Sequence, residues 1–122
     1  MTGERILLVE DNEKNMKLLR DILRAAGYDT LEAWTGRQAL KLALGQKPDL
    51  VVMDIRLPDI DGLVALTRLR ADERTAGIPV VALTAQAMAG DRERFLAAGF
   101  DGYLSKPVNI AALVDAVGEH CG

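Results

Sequence analysis

Short aliphatic runs, placed at intervals and each too brief for a helix, decide what this chain can fold into. Arg5 to Val9, Leu50 to Met53 and Val80 to Leu83 are the clearest, and Tyr28 to Ala33 and Asp101 to Leu104 are weaker versions. A continuous apolar run of this length, bounded by turn residues, reads as a strand buried on both faces. Between the runs the spacing turns helical, over Glu13 to Ala26, Gly36 to about Leu44, Leu63 to Arg70 and Met88 to Ala98. A last helix, capped by Asn109, carries Leu113 and Val117. Gly27 and Gly99 stand where a left-handed residue closes a helix, Thr35 suits an N-cap, and Gly45 with Pro48 should end the second helix. Few side chains anchor the start of the fourth helix, where Ala87, Ala89 and Gly90 cluster, so that end is expected to move. Strand and helix alternating five times imply an α/β fold, a doubly wound parallel sheet covered on both faces. At 122 residues there is room for one domain, residues 1–122.

In such a sheet, ligands collect beyond the carboxyl ends of the strands. Glu10 and Asp11 follow the first strand, Asp54 the third, Thr84 the fourth and Lys106 the fifth, so all five converge on one edge. Three carboxylates in one cleft repel; at roughly 5 Å and an effective dielectric near 20, each pair costs about 3 kcal/mol. A cation is needed to keep them all ionised. Oxygen donors without histidine or thiolate favour Mg2+, which retains waters and accepts a phosphate oxygen. Lys106 and the Thr84 hydroxyl suit a tetrahedral anion beside Asp54, and a carboxylate can itself attack a phosphoryl group to become an aspartyl phosphate.

Composition narrows the choice further. The formal net charge of −3 leaves no basic excess for phosphate neutralisation, so direct nucleic-acid binding is not expected. No apolar run spans a membrane and no signal peptide opens the chain, which points to a cytoplasmic protein without membrane insertion. The single cysteine, Cys121, and the single histidine, His120, lie at the end of the chain and read as bystanders to any chemistry.

The segments ILLVEDN, VVMDIRLPDIDG, VVALTA and YLSKP occur in the order and spacing of the receiver domains of two-component response regulators, which this chain resembles over nearly its whole length. The resemblance implies a flavodoxin-like (βα)5 sheet in the order 2-1-3-4-5. It implies Asp54 as phosphoacceptor, Asp11 as a direct Mg2+ ligand, Glu10 as a contact through water and Arg56 as a backbone carbonyl ligand. Thr84 and Lys106 would bind phosphoryl oxygens, Tyr103 would turn inward when Thr84 moves, and the Lys106–Pro107 bond would be cis. Arg56 and Gln86 occupy positions that in this family tune access of the hydrolytic water. The style of EDNEKNMKLL and ALTAQAMAGDRERFLAAG is similar to stand-alone receivers of the DivK kind, though receivers cut from hybrid histidine kinases look much the same. The partners implied are a sensor histidine kinase or histidine phosphotransferase and a downstream protein target, with the chain a monomer or weak dimer and not an enzyme.

Two rival readings belong to other classes. A phosphohydrolase with an aspartyl nucleophile usually wants a second acid two residues on, where this chain has Arg56. A flavodoxin-like cofactor carrier would need a phosphate cradle after the first strand, where Glu10 and Asp11 would repel it. Asp59 and Asp61, beside Pro58 and Gly62, read as turn formers rather than ligands, and Trp34 as packing or rim surface. On the first helix, Leu18, Leu19, Ile22 and Ala26 form the expected buried stripe, leaving Met16 partly exposed beside Arg20. Those two residues are therefore the expected contact for a phosphodonor helix.

Overall fold

The computed structural model describes residues 3–85 and 90–121. Its strands are β1 (Arg5–Val9), β2 (Asp29–Ala33), β3 (Leu50–Asp54), β4 (Val80–Thr84) and β5 (Gly102–Ser105). The helices between and after them are α1 (Glu13–Ala25), α2 (Gly36–Gln46), α3 (Gly62–Ala71), α4 (Asp91–Ala98) and α5 (Ile110–Cys121). All strand pairings are parallel and the order is β2-β1-β3-β4-β5. The order in which successive strands are laid down therefore reverses at β1, and the cleft between the ends of β1 and β3 is where such a sheet binds its ligand. Gln86, Ala87, Met88 and Ala89, with the expected opening turns of the fourth helix, lie outside the described residues.

Every residue of β3 and β4 is buried, as expected of central strands roofed on both sides. Alternation divides them. Leu7, Val9, Val51, Met53, Val80 and Ala82 pack on one face with residues of α2, α3 and Phe95 of α4. Ile6, Leu8, Leu50, Val52, Val81 and Leu83 pack on the other with α1 and α5. The same alternation, carried past the last apolar residues, puts Glu10 and Asp54 on the α1–α5 face and Thr84 on the face of α4. Tyr103 packs on that α4 face, stacked on Phe95 at 5.6 Å between ring centroids.

The expected caps are present. Thr35 accepts a hydrogen bond from the Gln38 amide and Asn109 from the Ala112 amide, while Gly27 and Gly99 have φ of 98° and 115°. The end of α2 differs: the helix runs through Gly45, and Lys47 takes the left-handed conformation, φ 47°. At the foot of the sheet, Arg70 gathers three segments. Its guanidinium donates to the carbonyls of Ala76 and Ile78 at 3.0 and 2.6 Å, to the Gly99 carbonyl at 3.1 Å, and to Asp101 at 2.8 Å. Asp101 in turn accepts from the Val80 amide at 2.8 Å. The closing turn of α4 is thereby fastened to the starts of β4 and β5. His120, at the end of α5, packs over Gly102, its Nε2 3.0 Å from where a Cβ would stand.

The rotation of α1 differs from expectation. Met16 is fully buried with Leu19, Ile22 and Leu23, whereas Leu18 is 41% exposed. The helix carries two apolar stripes, and which one faces the sheet is not set by spacing alone. Met16, Leu19 and Leu23 fill the core. Leu18 flanks the second stripe, whose Ile22, Ala25 and Ala26 line a shallow groove with Ile110 and Val114 of α5. Arg20, expected beside Met16 as a docking contact, pairs with Glu32 of β2 at 2.8 Å. Met16 is thus a core residue and not a docking contact. Met16→Ala should cost about 2 to 4 kcal/mol in urea unfolding; a loss near zero would place Met16 outside the core.

Candidate functional site

Asp54 ends β3 and Glu10 follows β1, so adjacent strands deliver two acids to one point. Glu10 is fully buried, Asp54 is 5% exposed, and Asp11 faces solvent. One carboxylate oxygen from each of the three lies within 4.8 Å of the others. Lys106, just past β5, reaches across the end of β4 and bridges two of them. Its Nζ lies 2.5 Å from Glu10 Oε1 and 2.8 Å from Asp54 Oδ2. Each acid also accepts a backbone bond, Glu10 from the Asn12 amide and Asp54 from the Arg56 amide, both at 3.1 Å. Asn12 does double duty, because its side chain caps α1 through the Asn15 amide.

The backbone around the site is held as tightly. A Cβ on Gly62 would stand 2.8 Å from Ile55 Cα and 2.9 Å from the Asp54 carbonyl oxygen, so only glycine lets α3 begin against the end of β3. The Gly62 amide donates to the Ile55 carbonyl at 2.8 Å. On the other side the Lys106 amide donates to the Thr84 carbonyl at 2.7 Å, which ties the lysine to the end of β4. The Lys106–Pro107 bond is cis. Thr84 itself is buried. Burial, with the charge of Asp91, pushes the Tyr103 hydroxyl up, so it stays a neutral donor at physiological pH.

Burial pushes the Glu10 carboxyl above its ordinary range and the Asp54 charge adds to this, against the pull of Lys106 and the Asn12 amide. Burial works against the Lys106 ammonium too, but its bonds to Asp54 and Glu10 outweigh that and hold it above its ordinary value. With all three acids ionised, one ammonium leaves two negative charges uncompensated. An all-oxygen donor set with that deficit, open to solvent at Asp11, fits a hard dication such as Mg2+.

Of the residues singled out from sequence, the structure brings together Glu10, Asp11, Asp54 and Lys106, with Arg56 beside Asp54. Thr84 stands at the neighbouring strand end, in register with Ser105, and Tyr103 lies two residues before that point, on the α4 side. Trp34 is half-buried at the rim. Asp61 is the N-cap of α3, accepting from the Leu63 amide at 2.7 Å. Asp59 does more than form a turn, because its carboxylate reaches the first turn of α2. Sequence reasoning did not single out Asn12 and took Asp59 only as a turn former; the signal for Asn12 was a capping residue type at a helix start, whereas nothing local pointed Asp59 to α2.

The model of the response regulator receiver domain matches residues 6–118. The chain belongs to that family. The receiver is 44% identical over 117 residues to the polar-differentiation response regulator DivK of Brucella ovis, covering 96% of this chain and 95% of that one. It is 42% identical to the solved receiver domain of the sensor histidine kinase PA1611 from Pseudomonas aeruginosa PAO1, which holds a magnesium ion in its active-site cleft. That match covers 98% of both chains with a TM-score of 0.90. A CheY-like receiver protein from Methanospirillum hungatei JF-1 is 30% identical, with a TM-score of 0.84 over 96% of this chain and 92% of that one. A signalling role follows from the family. No helix among the described residues is long and apolar enough to cross a membrane.

The raised Glu10 carboxyl has a directional effect on stability. The folded protein binds more protons than the unfolded chain between the ordinary carboxylate value and the raised one, so stability falls as pH rises through that window. Removing the Lys106 amine deepens the loss. Without divalent cations, Lys106→Met should cost about 3 kcal/mol near neutral pH. The cost should shrink toward about pH 4, where Glu10 holds its proton. Urea titrations at both pH values check this, and an equal loss at both would contradict it.

Proposed function

We propose that this receiver takes a phosphoryl group from a phosphohistidine donor onto Asp54 and answers by changing the surface around α4 and β5. The observation that carries the reading is the Lys106 ammonium lodged between Asp54 and Glu10 at the end of β3. In the transfer, one Asp54 oxygen forms a bond to phosphorus as the bond from phosphorus to the donor imidazole nitrogen breaks, and the imidazole leaves. Asp54 Oδ1 is held by the Arg56 amide, so the carboxylate has a fixed plane. Lys106, already at Oδ2, passes to an oxygen of the arriving group. Glu10, Asp11, Asp54 and the Arg56 carbonyl would hold Mg2+, which when bound neutralises charge on the phosphoryl oxygens.

Thr84 is the hydroxyl next in line. In this reading it moves toward the phosphoryl oxygens and opens space for Tyr103, whose ring lies on Phe95 of α4. The output is a contact with a downstream protein, and the chain works as a cytoplasmic signalling domain rather than a turnover enzyme. The donor is a sensor histidine kinase or a histidine phosphotransferase. Its helix suits the groove between α1 and α5. Ile110 in that groove is 61% exposed and Leu18, one turn before Ile22 at its edge, is 41% exposed, and α1 and α5 begin within a few residues of Asp11 and Lys106.

Two experiments test this. Asp54→Asn should take up no label from radiolabelled acetyl phosphate with Mg2+, while the wild type labels stoichiometrically; full labelling of the variant would move the acceptor elsewhere. Leu18→Glu should slow transfer from the cognate phosphohistidine protein about tenfold or more and leave labelling by acetyl phosphate unchanged. Equal slowing with both donors would place Leu18 in the site's architecture, not in docking.

A further inference from the structure

The loop from Arg56 to Asp61 joins β3 to α3 and carries the carbonyl that the proposed function gives to the metal. Its two ends are held locally, by the Arg56 amide on Asp54 Oδ1 at 3.1 Å and by Asp61 capping α3. The middle of the loop is held from a different part of the fold. Asp59 Oδ1 accepts from the Gly36 amide at 2.8 Å and Oδ2 from the Arg37 amide at 2.9 Å. Those are the first two amides of α2, which no residue within the helix can satisfy. The third, of Gln38, goes to Thr35 at 3.1 Å. The start of α2 is thus shared between its own N-cap and a carboxylate from 22 or 23 residues further along the chain.

Packing makes the same joint. A Cβ on Gly36 would stand 2.3 Å from Ile60 Cγ1 and 2.9 Å from Cδ1, and 3.3 Å from Asp59 Oδ1. Glycine at position 36 is therefore what lets Ile60 lie against α2 while Asp59 meets the amides. Ile60 and Leu57 also pack on the core cluster beneath. Partial burial opposes ionisation of Asp59, but backbone amides, those of Arg37 and Gly36 first and then those of Ile60 and Asp59 itself, together outweigh it and hold the carboxyl below its ordinary range. The clasp is charged at physiological pH, and the positive end of the helix dipole favours that charge.

We propose that Asp59 is a positioning residue for metal binding: by clasping the start of α2 it fixes the loop that presents the Arg56 carbonyl, without itself touching the ion. The proposal rests on the metal assignment made above. It predicts that loosening the clasp from either side, at Asp59 or at Gly36, weakens the metal, whereas weakening the same helix end through Thr35 does not.

The test measures Mg2+ affinity by titration calorimetry alongside thermal melting. Asp59→Ala and Gly36→Ala should each weaken Mg2+ binding about tenfold or more. Thr35→Ala, which lowers melting temperature by losing the other cap, should bind Mg2+ as the wild type does. Labelling of Asp59→Ala by acetyl phosphate should return to the wild-type rate when Mg2+ is raised to saturation, as a positioning defect requires. Wild-type affinity in both Asp59→Ala and Gly36→Ala overturns the proposal, as does an equal loss in Thr35→Ala. Should Asp59→Ala not fold, Gly36→Ala with Asp59→Asn, which keeps one acceptor, decides the matter on the same criteria. A wild-type protein that binds no Mg2+ would overturn the metal assignment itself and the proposal with it, a result visible without any variant.

Discussion

Two carboxylates packed side by side at the end of a sheet, one of them with no solvent at all, are tolerable because a single ammonium lies between them. Lys106 is that group, and its two short bonds to Glu10 and Asp54 set what the surrounding chain must do. To reach them from β5 it has to cross the end of β4, so the Lys106 amide is anchored on the Thr84 carbonyl. On the other side α3 starts hard against the end of β3, which is why position 62 has no side chain. A buried charge pair of this kind does not repay its own desolvation well. Its value is that the site is held open, charged and short of positive charge, the condition under which a dication and a phosphoryl group are attracted to it.

Much of this was legible in the residues. Leu50 to Met53 and Val80 to Leu83 admit hardly any reading but buried strands, and once the sheet is parallel, its strand-end residues must share one edge. Glu10, Asp11, Asp54 and Lys106 follow from that topology without any knowledge of side-chain geometry. The aliphatic content of a strand also reports burial on both faces, so the core assignment there was secure.

What sequence reasoning missed was rotational or long-range. The apolar residues of α1 form two overlapping stripes, and a period of 3.6 does not say which one meets the sheet; tertiary packing makes that choice, with Met16 turned into the core and Leu18 outward. Lys47 adopts a left-handed conformation that glycine would have signalled at position 45. Asp59 looks like a turn residue because the amides it satisfies belong to a helix more than twenty residues earlier, and no local window contains both halves of the interaction. Arg70 was hidden in the same way, its partners being spread over three segments.

The Arg70 tether gives α4 a mechanical character. A guanidinium that holds the Gly99 carbonyl while also gripping Asp101 and the carbonyls of Ala76 and Ile78 pins the foot of the helix to the frame of the sheet. A rod pinned at one end cannot slide; a push near its other end becomes rotation, and displacement grows with distance from the pivot. Thr84 stands at the far end of β4 from that pivot, and Phe95, the one buried side chain of the helix, lies between the two. Any displacement of α4 about that pivot therefore grows toward Asp91, the end of the helix that follows β4 in the chain.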